Sequence, residues 1–172
     1  MRNLKLLTLS AFLFIGSLSL SAQEMGVVDL ESVYNSLAEK QDADNQMNAL
    51  YERHKTEIEK RQNALEAIEN EIKTKVEGKS QAEIQAMMPE LEARQKDYMT
   101  KQQELVTYQQ AATKEVTDKE KALYTPIDTK VKNAIDQVAA SKGVKFVMEK
   151  STLLYASGLD LTQDVKTNLG AK

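Results

Sequence analysis

The fold is decided by the stretch Asp160-Leu161-Thr162-Gln163-Asp164-Val165, near the C-terminus of this 172-residue chain. It belongs with two β-like segments at opposite ends of the sequence, residues 26–30 and 144–149. Between them, roughly a hundred residues have the composition of almost continuous helix. The pattern predicts an α+β fold: a small body of strands, built from both chain ends, from which a long antiparallel helical hairpin protrudes.

Residues 1–22 have the pattern of a secretory signal peptide. Arg2 and Lys5 precede an apolar run from Leu6 to Leu20 that is short for a bilayer span. Ser21-Ala22 then provides the small residues of a signal-peptidase cleavage site. The chain has no cysteine and no further apolar run of spanning length. We therefore expect a periplasmic product without stable membrane insertion after signal removal. Full secretion and an uncleaved anchor are the alternatives.

The composition argues against nucleic-acid binding and against catalysis. Removing Arg2 and Lys5 with the leader leaves 21 basic and 26 acidic residues, a net charge of −5. Phosphate binding requires the opposite sign of charge. His54 is the single histidine, so a metal site is not expected, and the scattered glycines form no phosphate-binding loop. We predict no catalytic residues, no metal, no cofactor and no enzymatic activity.

Residues 42–125 carry the pattern of two paired helices. Apolar residues recur every seven positions, first at Tyr51, Ile58, Leu65 and Ile72, and again at Ile84, Leu91, Tyr98 and Leu105. Between the two runs, Gly78 is suited to end a helix, and Ser80-Gln81-Ala82-Glu83 is a capping-box signature for the next one. Thirty-five helical residues, 42–76, span on the order of 50 Å, so this hairpin must project.

The predicted seam of this hairpin is thin. Polar residues fall in or beside it, namely Arg61, Gln95, Gln102 and Gln109. Such a seam implies low local stability and an arm that bends or splays. Met87 and Met88 near the tip suit a surface that adapts to many partners, or else they close the end of the hairpin.

Residues 23–41 and 126–172 are predicted to form the body. It contains the strands at 26–30 and 144–149, a second candidate strand at 153–156, and a final helix capped by Thr162. A body this small, without disulfides or a metal, is marginal alone, and its few strands leave open edges. Both features predict oligomerisation.

These segments resemble the Skp/OmpH family of periplasmic chaperones. Met25-Gly26-Val27-Val28-Asp29 is similar to the family's first strand, and Val33-Tyr34 to the hydrophobic pair that follows. Residues 144–149 and 154–156 are similar to the closing strands. Residues 160–165 match the family's D-[IL]-T-x-x-V ending.

The resemblance implies a homotrimer whose strands form one β-barrel and whose arms surround a cavity. It implies an ATP-independent holdase that keeps unfolded outer-membrane proteins from aggregating. The oligomerisation body is then expected to include Val27, Val28, Leu30, Phe146, Val147, Leu154 and Tyr155. The expected client contacts are Tyr51, Ile58, Leu65, Ile68, Ile72, Met87, Met88, Leu91, Tyr98 and Leu105, although these residues would alternatively only hold the hairpin together.

One departure from the family concerns charge. Residues 42–125 contain 13 basic and 17 acidic residues, a net charge of −4, where the best-known members carry basic arms. Binding of anionic lipid or lipopolysaccharide is therefore not transferred to this chain. A coiled-coil scaffold that docks on a fixed envelope partner is the alternative function. A helix lying on a lipid surface fits less well, because the arms lack a broad apolar face with a basic border.

Overall fold

The computed structural model describes residues 25–171, and the predicted signal peptide at residues 1–22 lies outside this range. The elements follow in the order β1 (Met25–Val28), α1 (Leu30–Asn35), α2 (Ala38–Val76), α3 (Gln81–Lys142), β2 (Phe146–Glu149), a 3-10 turn (Lys150–Thr152), β3 (Leu159–Asp160) and α4 (Thr162–Asn168).

The three strands form one parallel sheet in the order β2-β1-β3. In this sheet Met25 pairs with Phe146 and Gly26 with Leu159, so both neighbours of β1 come from the other end of the chain. The strands predicted at 26–30 and 144–149 are confirmed in place, although they are shorter. Leu30, which we expected in the first strand, instead opens α1.

The strand predicted at 153–156 is wrong. These residues follow the 3-10 turn without regular structure, and the third strand is the dipeptide Leu159–Asp160. Gly158 permits this path, because a Cβ there would lie 2.9 Å from the carbonyl oxygen of Met25. The chain therefore pairs with β1 at Leu159–Asp160 and not at the preceding apolar residues 153–156.

The body has a compact apolar core to which both chain ends contribute. Its largest fully buried side chains are those of Val33, Val131, Leu161 and Val165. Gly26 is part of this packing, since a Cβ added to it would lie 2.8 Å from Cδ1 of Leu161. Leu161 also donates its backbone N–H to the carbonyl of Val27 at 2.8 Å, which extends the β1–β3 ladder into the start of α4.

The first turn of α1 is capped locally and is tied to two other parts of the chain. Asp29 caps the helix by accepting from the N–H of Ser32 at 2.8 Å, and the N–H of Leu30 donates to Glu149 at 3.0 Å. The N–H of Asp29 donates to the hydroxyl oxygen of Thr162 at 2.9 Å. The prediction that Thr162 caps α4 is therefore wrong: its side chain makes no capping hydrogen bond there, and it holds β1 and α4 together.

The turn between the two long helices and the end of α3 lie at the predicted signals. Gly78 has φ of 72°, and Ser80 with Glu83 forms a complete capping box at the start of α3. The helix α3 then runs for 62 residues, through Pro89 and Pro126, and ends at Gly143, whose φ is 68°. The helix α2 starts at Ala38, four residues before the predicted start.

The helices α2 and α3 pack side by side along most of α2. Ion pairs join Glu39 to Lys130 at 2.6 Å, Glu71 to Arg94 at 3.0 Å and Lys75 to Glu90 at 2.7 Å. Residue numbers thus rise along α2 while those of their partners fall along α3. We call residues 42–125 the arm and the remaining described residues, 25–41 and 126–171, the body.

Candidate functional site

The interior of the arm is a narrow line of side chains between α2 and α3. On α2 the buried residues are Ala43, Met47, Leu50, His54, Leu65 and Ile68, whereas within the arm portion of α3 only Ala112 is buried among the described residues. More side chains are therefore buried along α2 than along the arm portion of α3. This asymmetry agrees with the thin seam inferred from the sequence.

The residues predicted to contact clients fall into three groups. Leu65 and Ile68 are buried against the other helix. Tyr51 and Met88 are exposed. The remaining members are half-buried along the line, namely Ile58, Ile72, Met87, Leu91, Tyr98 and Leu105. Their role in client contact stays a prediction, and the buried pair can reach a client only if the helices separate.

A polar cluster interrupts the apolar line at mid-arm. Nδ1 of His54 lies 2.8 Å from the hydroxyl oxygen of Tyr108, and Nε2 lies 3.3 Å from a carboxylate oxygen of Glu115. The guanidinium of Arg61 lies over the Tyr108 ring at 4.7 Å, and Arg53 pairs with Glu115. Nε2 of His54 has no partner of good hydrogen-bond geometry, so this buried ring is only partly satisfied.

Changing Tyr108 to phenylalanine is expected to lower the free energy of unfolding by about 1–3 kcal/mol, because it removes the partner of a buried imidazole nitrogen. Adding His54→Leu should recover most of that loss, since an apolar pair needs no hydrogen bond. Urea unfolding followed by far-UV circular dichroism measures both. Equal stability of Y108F and H54L/Y108F would contradict the assignment.

A second polar cluster fixes the base of the arm to the body. The hydroxyl of Tyr124 donates to Asp44 at 2.7 Å, and that of Tyr34 donates to Asp128 at 2.9 Å. Burial, reinforced by these carboxylates, raises the pKa of each tyrosine to about 12. The hydrogen bond from Lys40 is the main cause of the lowered pKa of Asp44. These contacts join α1 and α2 to α3 where the arm leaves the body.

The surface of the sheet that faces away from the core is apolar and exposed. Phe146 and Met25 are exposed there, Tyr155 is 83% exposed, and Leu154 is fully exposed. A groove of about 450 Å³ runs along this surface, lined by Val27, Met148 and the segment 155–158 among others. Apolar side chains this exposed, beside open strand edges, are typical of a surface that another chain covers.

The residues predicted for the oligomerisation body fall into two groups, those exposed on this surface and those buried or half-buried within one chain. Phe146, Leu154 and Tyr155 are exposed and available for contact with another copy. Val28 is buried in the core and Leu30 and Val147 pack half-buried against it, so these three contribute mainly to the fold of one chain. Val27 is buried where it lines the groove on the outer surface of the sheet. The participation of all these residues in an oligomer stays a prediction.

Two exposed apolar residues of the arm were not predicted from the sequence as client contacts. Met99 is 61% exposed and Val106 is 41% exposed, both on the side of α3 that faces away from α2. A seven-residue apolar repeat marks the side of a helix that packs against another helix, so it does not identify these two exposed residues. The signal that identifies them is the lack of charge on the outward side of α3 between Lys96 and Lys114.

Two features are absent from the described residues, a metal-binding group and a membrane-spanning helix. Within residues 25–171, no group of three or more histidine, cysteine or acidic side chains is placed to hold a metal ion. No helix in that range is both long and apolar enough to cross a membrane.

The arrangement defines a class of α+β protein in which both chain ends close a small parallel sheet and two long helices extend from it. The family model described as "Outer membrane protein (OmpH-like)" matches residues 24–169, and the chain therefore belongs to the OmpH-like family. Membership in this family supports a chaperone role.

The fold is also found in a solved structure. A crystal structure of a candidate outer membrane chaperone (OmpH-like) from Caulobacter crescentus CB15 superposes with a TM-score of 0.63. The two proteins are 16% identical, and the match covers 85% of this chain and 83% of the other. At this identity the likeness concerns the fold. No curated protein sequence matches the chain.

Proposed function

We propose that this chain is an ATP-independent periplasmic holdase that binds unfolded outer-membrane proteins and prevents their aggregation. The observation that carries the proposal is the arm: two helices that extend from the body and keep apolar side chains such as Tyr51, Met88 and Met99 exposed. A client with no fixed shape is held by many weak contacts of this kind, and membership in the OmpH-like family supports the same role.

The proposed working form is a homotrimer. In a single chain, each outer strand of the described sheet leaves one edge without a strand partner, beside the exposed side chains of Phe146, Leu154 and Tyr155. Association of three copies would pair these edges into a barrel and cover the apolar surface. The three arms, each an antiparallel helical hairpin, would then enclose a common cavity for the client.

The test is light scattering during dilution of a urea-unfolded outer-membrane β-barrel protein, without ATP. We expect the full-length mature protein to suppress aggregation at about one trimer per client. A variant in which a short linker replaces residues 48–118 should remain an oligomer and lose the suppression. No suppression by the intact protein, even in excess, would contradict the proposal and favour the docking scaffold.

A further inference from the structure

The two outward sides of the arm differ in charge. On α3, the outward positions between Lys96 and Lys114 are uncharged and exposed, and we call the main ones the neutral face: Met99, Thr100, Gln103, Val106, Thr107 and Gln110. At the same level of the arm, the exposed side of α2 carries charges of both signs: Glu52, Glu59 and Glu66 at seven-residue steps, together with Arg53, Lys55 and Lys60. The Arg61–Glu104 and Arg53–Glu115 pairs establish that these stretches lie beside each other.

The hydrogen-bonding groups of the neutral face match those of a main chain. The hydroxyls of Thr100 and Thr107 donate to carbonyls of their own helix at 2.9 Å, so each oxygen can also accept; that of Thr107 accepts from the side-chain amide of Gln103 at 3.5 Å. The amides of Gln103 and Gln110 both donate and accept. An unfolded chain presents N–H and C=O groups that need such partners, and none of them carries a charge.

The apolar groups of the same face suit side chains of varied shape. Met99 is flexible and polarizable, and Val106 lies two helical turns further along. An open groove of about 710 Å³ follows one flank. It is lined by Arg61 of α2 and, on α3, by Met99, Thr107 and Ala111, with the charged side chains of Lys96 and Glu104 at its border. It offers a recess for a side chain without selecting one geometry.

We infer that the neutral face of α3 is the surface of the arm that contacts an unfolded client chain, and that the charged outward side of α2 is not. This inference rests on the proposed holdase function. The occupant it requires is an extended polypeptide segment of low charge with alternating apolar side chains, as in the strands of an outer-membrane barrel. Such a segment meets charged groups only at the border of the neutral face, at Lys96 and Glu104, whereas contact with the exposed side of α2 would remove several charged side chains from water.

The experiment compares two matched pairs of substitutions in the full-length mature protein. Gln103→Glu with Gln110→Glu adds two carboxylates seven residues apart on the neutral face. Asn63→Asp with Asn70→Asp makes the same change of amide to carboxylate, at the same spacing, on the exposed side of α2. Both variants have the same net charge, so general electrostatic effects on the client are equal. Affinity for a fluorescently labelled, urea-diluted outer-membrane barrel protein is the measured quantity.

We expect Q103E/Q110E to weaken client binding tenfold or more and N63D/N70D to change it less than twofold. Equal effects of the two pairs, or no effect of Q103E/Q110E, would overturn the inference while leaving the holdase function in place. Failure of the unsubstituted protein to bind would instead refute the holdase function itself. A change in oligomeric mass caused by Q103E/Q110E would identify the occupant as a second copy of the chain and would also overturn it.

Discussion

Replacing Leu161 with alanine is expected to lower the free energy of unfolding of the body by about 2–5 kcal/mol. Leu161 is fully buried in a core shared by β1, α1, α3 and α4. Its side chain fills the space that Gly26, without a Cβ, leaves open on β1. Gly26 has no side chain with which to fill the resulting cavity, so relaxation at this contact is limited. A body of this size has little stability in reserve.

Urea unfolding of the intact protein, with hydrogen exchange of the Val27 and Val28 amides, measures this loss directly at the sheet. Val106→Ala is the control, because it also shortens a branched side chain but lies exposed on the arm. It should change stability by less than about 0.5 kcal/mol. A loss below about 1 kcal/mol for L161A would contradict the tight core around Gly26.

Replacing Leu154 and Tyr155 with aspartate is expected to dissociate the proposed trimer into single chains. Both side chains are exposed in one chain and lie beside the open edges of the sheet. If other copies cover them, two carboxylates are moved from water into an apolar contact without partners, at a cost of several kcal/mol each. The helices should persist, because neither residue belongs to the described core.

Sedimentation velocity at several concentrations measures the mass, and circular dichroism checks the helices. The control is Thr129→Asp with Asn133→Asp, which adds the same charge on exposed positions of α3 in the body. It should keep the mass of the unsubstituted protein. If L154D/Y155D sediments like the unsubstituted protein, the segment 153–158 is not part of the contact between copies.

Helix ends could be predicted because their causes are local. The reciprocal hydrogen bonds of Ser80 and Glu83, and the left-handed backbone of Gly78 and Gly143, involve residues within one turn of the helix end. Side-chain types at fixed short spacing are sufficient to identify such sites. The positions of β1 and β2 were also correct to within a few residues.

The third strand could not be predicted from residue preference. Residues 153–156 are apolar and suited to a strand, whereas Leu159–Asp160 is short and contains an acidic residue. A strand requires a partner for its backbone, and the partner of β3 is β1, more than 130 residues away. Patterns of neighbouring residues do not indicate a pairing over that separation. The hydrogen bond between Thr162 and Asp29 was not predicted for the same reason.

The candidate client residues show a related difficulty. A seven-residue repeat marks side chains that pack, so it selected Leu65 and Ile68, which are buried between the helices. A surface that meets a variable partner needs no such repeat. The client surface proposed on this arm is instead distinguished by uncharged outward positions of α3, such as Met99, Gln103 and Val106, which lie outside the seven-residue apolar repeat of that helix.

The central position of β1 has a consequence for how the chain folds. Its partners lie about 120 to 135 residues away, a separation that makes direct closure of the chain slow. Pairing of α2 with α3 starts from the short turn at Gly78 and brings Leu37 and Ile127 into the same cluster, so β1 and β2 meet only after the helices have closed most of that distance. We therefore expect the sheet to form last during folding. Cleavage after Lys145 would remove both neighbours of β1 at once and leave every contact within the arm intact.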